Sequence, residues 1–230
     1  MEHEIYELTA SLERITLILE GNGEEYKRYP YIPDDEMLKE QRGNFIECVV
    51  FISRFYFNEK SISMLNLAKV YDIYLKEAYA ILSEHYLCRE ILYYGNNIVA
   101  LYNIGSDGFM NELMDVAGRI SSLPDVINVK IGRKEKPLIG NVSAMDRGYQ
   151  FASEISGKIE YFGGMLSKAE DWIRKPREGE REQRGVYASS RACEWLKDEY
   201  KVFFKETGID GVLHGYIENI GMARWVKEQK

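Results

Sequence analysis

The sequence is poor in the residues that make metal and disulfide chemistry: three cysteines and three histidines in 230 residues. Cys48, Cys88 and Cys193 are odd in number and far apart, which fits neither a disulfide framework nor the paired thiolates of a zinc site. They read instead as small buried hydrophobes. His3, His85 and His214 include no pair one helical turn apart, so a histidine-based metal centre is not expected. No stretch approaches the ~20 apolar residues that a membrane-spanning helix needs. Met1-Glu2-His3-Glu4 lacks the basic start of a secretory signal, so the expectation is a cytoplasmic chain with no membrane span. Positive charge is also scarce. Thirty Lys and Arg stand against 37 Asp and Glu, a net charge of −7, which argues against nucleic acid as a partner.

What is present is ordinary core-forming material, with 45% hydrophobic and 29% charged residues, enough for one sizeable domain. Ile5, Leu8, Leu12, Ile15 and Leu19 alternate spacings of three and four, an apolar stripe on a helix over residues 4–20 with the period of a coiled-coil seam. Such a stripe either docks on its own domain or pairs with a second copy, and docking is the simpler reading. Gly21, Pro30 and Pro33 then predict an irregular arm to about residue 43. The run Phe45–Ile52 is almost continuously apolar, as a strand buried on both faces is.

A helix is predicted over 61–85, with Met64, Leu67, Ala68, Tyr71, Leu75, Ala78 and Leu82 on one face. A hairpin follows at 90–94 and 98–103 around Gly95-Asn96-Asn97, its Tyr93 and Tyr94 pointing one inward and one outward. A helix over 108–122 carries Met110, Leu113, Met114, Ala117 and Ile120 inward and stops before Pro124. A strand pair at 138–146 and 149–155 turns at Arg147-Gly148, and 163–174 is helical. Residues 174–184 are a mixed-charge run without apolar residues and read as a solvated loop. A strand at 185–189, a helix at 190–205 and an extended stretch at 211–219 complete the order. The predicted fold is α+β, a mostly antiparallel sheet flanked by helices. Residues 1–43 form an N-terminal helix and arm, and 44–230 form the main domain.

This order resembles the class III nucleotidyl cyclase domain with its ferredoxin-like βαββαβ core, and most closely the bacterial uridylate and cytidylate cyclases of Pycsar antiphage systems. Five places carry the resemblance. Phe51-Ile52-Ser53-Arg54-Phe55 stands where the family's first strand reads Phe-Val-Asp-Ile-Arg-Gly-Ser. Tyr94-Gly95-Asn96-Asn97 is similar to the family's hairpin turn. Ala144-Met145-Asp146-Arg147-Gly148 resembles its Gly-Ile-Asp-Tyr-Gly stretch, and Gly163–Trp172 its Gly-Asp-x-Val-Asn-x-Ala-x-x-Leu helix. Gly215-Tyr216-Ile217-Glu218-Asn219-Ile220-Gly221-Met222-Ala223-Arg224-Trp225 resembles the closing strand with its Gly…Asn…Met…Trp ending.

The resemblance implies cyclisation of a nucleoside triphosphate, in which the ribose 3′ hydroxyl attacks the α-phosphate with two Mg²⁺ or Mn²⁺ ions. It also implies a homodimer whose active sites lie across the two-fold interface. The family's two metal-binding aspartates fall at Ser53 and Asn96. Its ribose-orienting asparagine and transition-state cation fall at Ser167 and Asp171. Both metal positions have lost their negative charge, and an aspartate replaces the cation, reversing the field at the phosphate. No metal ligand, catalytic residue or cofactor is therefore expected.

The chain reads as a catalytically degenerate cyclase homologue that serves as a nucleotide-binding, regulatory or interaction module, with a nucleotide or a partner cyclase or effector as its ligand. The alternative is an active pyrimidine cyclase with unconventional metal ligands. Asp146, Glu90, Asp107 and Asp72 are the acids such a site would draw on, although Asp146 reads better as a turn-initiating residue. Trp225 is expected to pack on the sheet.

Overall fold

The computed structural model describes residues 7–21, 23–57, 62–106, 108–133, 138–174 and 185–229. In chain order its strands are β1 (Tyr26–Tyr29), β2 (Gly43–Phe57), β3 (Cys88–Tyr94), β4 (Asn97–Tyr102), β5 (Ile139–Ile155), β6 (Lys158–Phe162), β7 (Val186–Ser189), β8 (Phe204–Glu206) and β9 (Val212–Gly215). Its helices are α1 (Leu8–Glu20), α2 (Asp35–Lys39), α3 (Met64–Ser83), α4 (Phe109–Lys130), α5 (Gly164–Arg174), α6 (Ser190–Cys193), α7 (Asp198–Lys201) and α8 (Ile220–Glu228). The strands form one sheet in the order β3-β4-β2-β5-β7-β9-β8, with β1 joined to β2 and β6 to β5. All pairs are antiparallel except β1 with β2 and β5 with β7.

Strand β2 organises the molecule because its apolar run feeds two cores through the strand's period of two. Val49, Phe51 and Phe55 face α3 and α4 in the first core, while Ile46, Cys48, Val50 and Ile52 face the second. The second core is closed by Leu38 of α2 and by Met165, Ala169 and Ile173 of α5. The hairpin forms as its sequence dictates. Gly95 takes φ +56° at the first central position of the β3–β4 turn, the backbone of a type II′ turn. Tyr93 is half exposed while Tyr94 packs on the second core. The five inward positions predicted for α4 are all buried. On α3 the buried face is Val70, Tyr74, Ala78 and Leu82, whereas Met64, expected on it, lies exposed.

Five local expectations are corrected. The arm before residue 43 is not irregular throughout, since β1 pairs with Gly43–Ile46 of β2. Helix α4 does not stop before Pro124 but runs through it to Lys130. Proline lacks the N–H that would satisfy the Ile120 carbonyl, and Asn141 Nδ2 on β5 donates to that oxygen instead, at 2.6 Å. Strand β5 does not turn at Arg147-Gly148. It continues to Ile155, and the chain reverses at Ser156 (φ 53°) and Gly157 (φ 84°). Gly148 serves close packing, because a Cβ there would sit 2.9 Å from Arg191 Nη1 and 3.1 Å from Met165 Sδ. Residues 190–205 are not one helix. They form α6, α7 and β8, with the Lys197 N–H between the helices capped by Asn111 Oδ1 from α4 at 2.9 Å. Finally, α8 packs on α4 and not on the sheet, with Lys130 Nζ 5.3 Å from the Trp225 ring.

The reading of α1 as docked on its own domain is also corrected. None of its residues is buried. The arm behind it makes the attachment, with Ile32 and Leu38 buried in the second core. Arg42 Nη1 then holds α1 by one hydrogen bond to the Leu17 carbonyl, at 2.8 Å. Among the described residues no helix is long and apolar enough to cross a membrane. The mixed-charge run 175–184 lies outside the described residues.

Candidate functional site

Ser53 sits in the middle of β2 with no solvent exposure and faces α3. Its Oγ lies 3.0 Å from the Tyr74 hydroxyl, which also accepts from Asn141 Nδ2 at 3.1 Å. Burial raises the Tyr74 phenol above its usual range, and the hydrogen bonds from Ser53 and Asn141 partly offset that. Asn96 lies in the hairpin turn. Its Oδ1 accepts from the Tyr71 hydroxyl at 2.9 Å and its carbonyl from the Phe55 N–H at 3.1 Å. Both positions where the resemblance implies metal carboxylates are thus neutral oxygens engaged by tyrosines of α3. Such a pair does not fit a divalent cation, which takes charged carboxylate oxygens in an open cradle.

Ser167 and Asp171 lie on α5, across the sheet from α3. Ser167 is exposed. The Asp171 carboxylate is solvated and stands 4.0 Å from Arg174 one turn on, so the structure does not bring the two pairs of positions together within one chain. The remaining candidate acids are also scattered. Asp72 pairs with Lys76 on the outer face of α3 at 2.9 Å, a solvated contact of little energetic weight. Glu90 lies on β3, its carboxyl pushed up by burial and by Asp35, with Arg89 opposing. Asp146 does not initiate a turn. It is buried within β5 opposite Val50 and accepts from the Arg147 N–H at 2.8 Å. Asp107 lies outside the described residues. Among the described residues no three His, Cys, Asp or Glu side chains cluster as a metal site would require.

What the structure does gather is a groove of about 1810 Å³ beside α5. Its lining includes Lys168, Asp171 and Trp172 of α5, Met114 and Gly118 of α4, Tyr187 of β7, Lys205 of β8, His214 of β9, and Tyr216. The Tyr187 and His214 rings meet at 4.6 Å. Gly185 is required beneath them, because at φ +145° a Cβ would come within 2.6 Å of His214 Nε2 and 2.5 Å of the Gly215 carbonyl. The lining mixes these aromatic residues with two lysines and with four acids, Asp115, Asp171, Glu206 and Glu218. Sequence reasoning reached Asp171 but missed Lys205, Tyr187 and His214. They come from separate segments that only the β7–β9–β8 pairing brings together, so no local pattern announces them.

The thiols take no part. Burial pushes Cys48 up to about 12 and Cys88 and Cys193 each up to about 11, and the nucleophile is the thiolate. At pH 8 the folded protein is expected to leave all three thiols unreacted towards a disulfide reagent on the minute scale, with all three titrating after unfolding in urea. Rapid labelling of the folded chain would overturn this reading.

No family model matches this chain. A uridylate cyclase from Gulbenkiania mobilis is 25% identical over 183 residues, covering 73% of this chain and 70% of that protein. Among solved structures, a bacterial light-regulated adenylyl cyclase superposes with a TM-score of 0.56 at 11% identity, over 96% of this chain and 68% of that one. The guanylyl cyclase Cya2 superposes with a TM-score of 0.58 at 13% identity, over 78% and 96%. At such identities the structural likeness speaks for the fold, and the homology rests on the sequence match. The chain is a homologue of a uridylate cyclase and has the fold of the class III adenylyl and guanylyl cyclases.

Proposed function

We propose that this chain is a non-catalytic member of the cyclase fold that binds a nucleotide in the groove beside α5 and acts as a regulatory module. The observation that carries the reading is the fate of Ser53 and Asn96. Both are neutral and both are tied to α3 through Tyr74 and Tyr71, where cyclase chemistry would require two open carboxylates. Support for the ligand class is the lining of the groove, which holds Trp172, Tyr187 and Tyr216 to meet a base and Lys168 and Lys205 to meet phosphates, among four acids that a nucleotide would have to carry a cation past. An effector that senses cyclic nucleotides, of the kind that accompanies antiphage cyclases, is the partner this role implies.

The test is direct. Purified protein is incubated with UTP, CTP, ATP and GTP plus Mn²⁺, and cyclic products are sought by mass spectrometry against a heat-killed control. The expected result is no cyclic nucleotide together with saturable calorimetric binding of at least one triphosphate, weakened about tenfold or more by Lys205→Ala. Any 3′,5′-cyclic product above the control overturns the non-catalytic reading and leaves an active pyrimidine cyclase with unconventional ligands. Absence of binding overturns the nucleotide-binding part.

A further inference from the structure

One cross-strand row of the sheet holds three polar side chains that the fold does not use. Arg54 on β2 stands opposite Asn97 on β4, which stands opposite Tyr94 on β3. Directly opposed residues share a face, and Tyr94 packs on the second core, so all three lie on the face away from α3 and α4. Among the described residues Arg54, half-buried, has neither an ion pair nor a hydrogen bond. Asn97 is 5% exposed and its Oδ1 has no partner. The Tyr94 hydroxyl is buried and has none either. Burying a polar group without a partner is costly, and three such side chains in adjacent register positions point to a ligand.

The charges beside the row fix the sign of that ligand. Glu170 and Arg174 of α5 act on Tyr94, but they pair with each other at 3.1 Å, which leaves the Arg54 guanidinium uncompensated. Burial pushes the Tyr94 phenol up to about 12, so its hydroxyl stays a donor at neutral pH. Neighbouring strands lie about 4.8 Å apart, which sets the Arg54 and Tyr94 backbones about 10 Å apart with Asn97 between them. Two long side chains close such a gap around one small anion.

We infer that Arg54, Tyr94 and Asn97 form a binding site for orthophosphate. Arg54 and Tyr94 donate to its charged oxygens, and its remaining P–OH donates to Asn97 Oδ1. The acceptor selects this anion. Near pH 7.5 orthophosphate still carries a hydrogen on oxygen, sulfate carries none, and a phosphomonoester, with its second pKa of about 6, has lost its own. A divalent cation is excluded by the arginine. The site lies on the opposite flank of α5 from the groove, since Lys168, Asp171 and Trp172 turn to the groove and Glu170 and Arg174 to Tyr94. It therefore does not rest on the nucleotide reading.

Calorimetry on the full chain tests it, with sodium phosphate as the probe near pH 7.5. Sodium sulfate and glycerol phosphate, at equal ionic strength, separate free phosphate from other oxyanions and from esterified phosphate. Phosphate is expected to bind saturably, and Arg54→Gln and Tyr94→Phe each to weaken it, the first about tenfold or more. Sulfate and glycerol phosphate should bind about tenfold more weakly than phosphate. Neither variant removes a group that has a partner, so urea midpoints without phosphate should match the wild type. Added phosphate should raise the midpoint of the wild type and not of Arg54→Gln, which separates loss of the site from loss of fold. A wild type that binds no phosphate overturns the inference. So does binding that survives both substitutions, and so does sulfate or glycerol phosphate bound as tightly as phosphate.

Discussion

Ser53→Asp, the substitution that would return a carboxylate to β2, is expected to lower the stability of the folded chain by about 3–5 kcal/mol and to confer no cyclase activity. Ser53 has no solvent exposure, and its Oγ faces the Tyr74 hydroxyl at 3.0 Å in a pocket closed by Phe55, whose ring lies 4.6 Å from that of Tyr74. A carboxylate there has no cation within reach among the contacts the site makes, so it must either stay protonated or be buried charged.

The sign of its pH dependence follows. The introduced aspartate has a folded pKa raised above its unfolded value of ~3.9. Its penalty is therefore absent below about pH 4 and grows as pH rises toward the folded pKa. Urea midpoints at pH 4 and pH 7 are the measurement, with Ser53→Ala as the control, which loses one hydrogen bond and about 1 kcal/mol at both values. A Ser53→Asp protein that is as stable as the wild type at pH 7 and is further stabilised by Mn²⁺ would show the position to be open to metal. That result would sink the account of Ser53 as a structural residue.

The same face geometry says which parts of the site were legible in the sequence. Ser53 and Asn96, the positions that the resemblance assigns to metal aspartates, ride on strong local signals, the apolar run of β2 and the glycine turn after Tyr94. That they turn toward α3 could not be read. Their direction is set by register across the sheet, where Ser53 faces Ser143 on β5 and Ile98 on β4. Tyr74 was missed because the predicted stripe of α3 ran through Tyr71 and Leu75, about 50° round the helix from the face that the first core buries, although the two faces share Ala78 and Leu82. Arg147-Gly148 imitated a turn for a similar reason. The arginine is held in the strand by Glu47 at 3.2 Å and by the Trp195 ring at 3.8 Å, and the glycine makes room for Met165 and Arg191. All of these partners are distant in sequence. Local patterns thus gave the elements, while partners tens of residues away decided where the elements ended and which way the polar side chains pointed.

Pro124 gives the second large effect. Asn141→Leu is expected to cost about 2–3 kcal/mol, because it leaves the Ile120 carbonyl buried and unpaired inside α4. Asn141 is 1% exposed and donates to that carbonyl at 2.6 Å and to the Tyr74 hydroxyl at 3.1 Å. The carbonyl needs this outside donor only because residue 124 is proline and has no N–H to offer. Pro124→Ala restores the helix's own donor. In the Asn141→Leu background it should therefore recover about 1–2 kcal/mol, more than it contributes in the wild type, where the carbonyl is already satisfied. A double-mutant cycle read from urea unfolding isolates the coupling. If the two substitutions prove additive, the partnership between the proline and the asparagine is illusory and Asn141 acts through Tyr74 alone. If they couple, the chain of hydrogen bonds from Ser53 through Tyr74 and Asn141 to α4 is one structural unit. It would then occupy the region in which the resemblance expects metal chemistry, and restoring a carboxylate at Ser53 would break it.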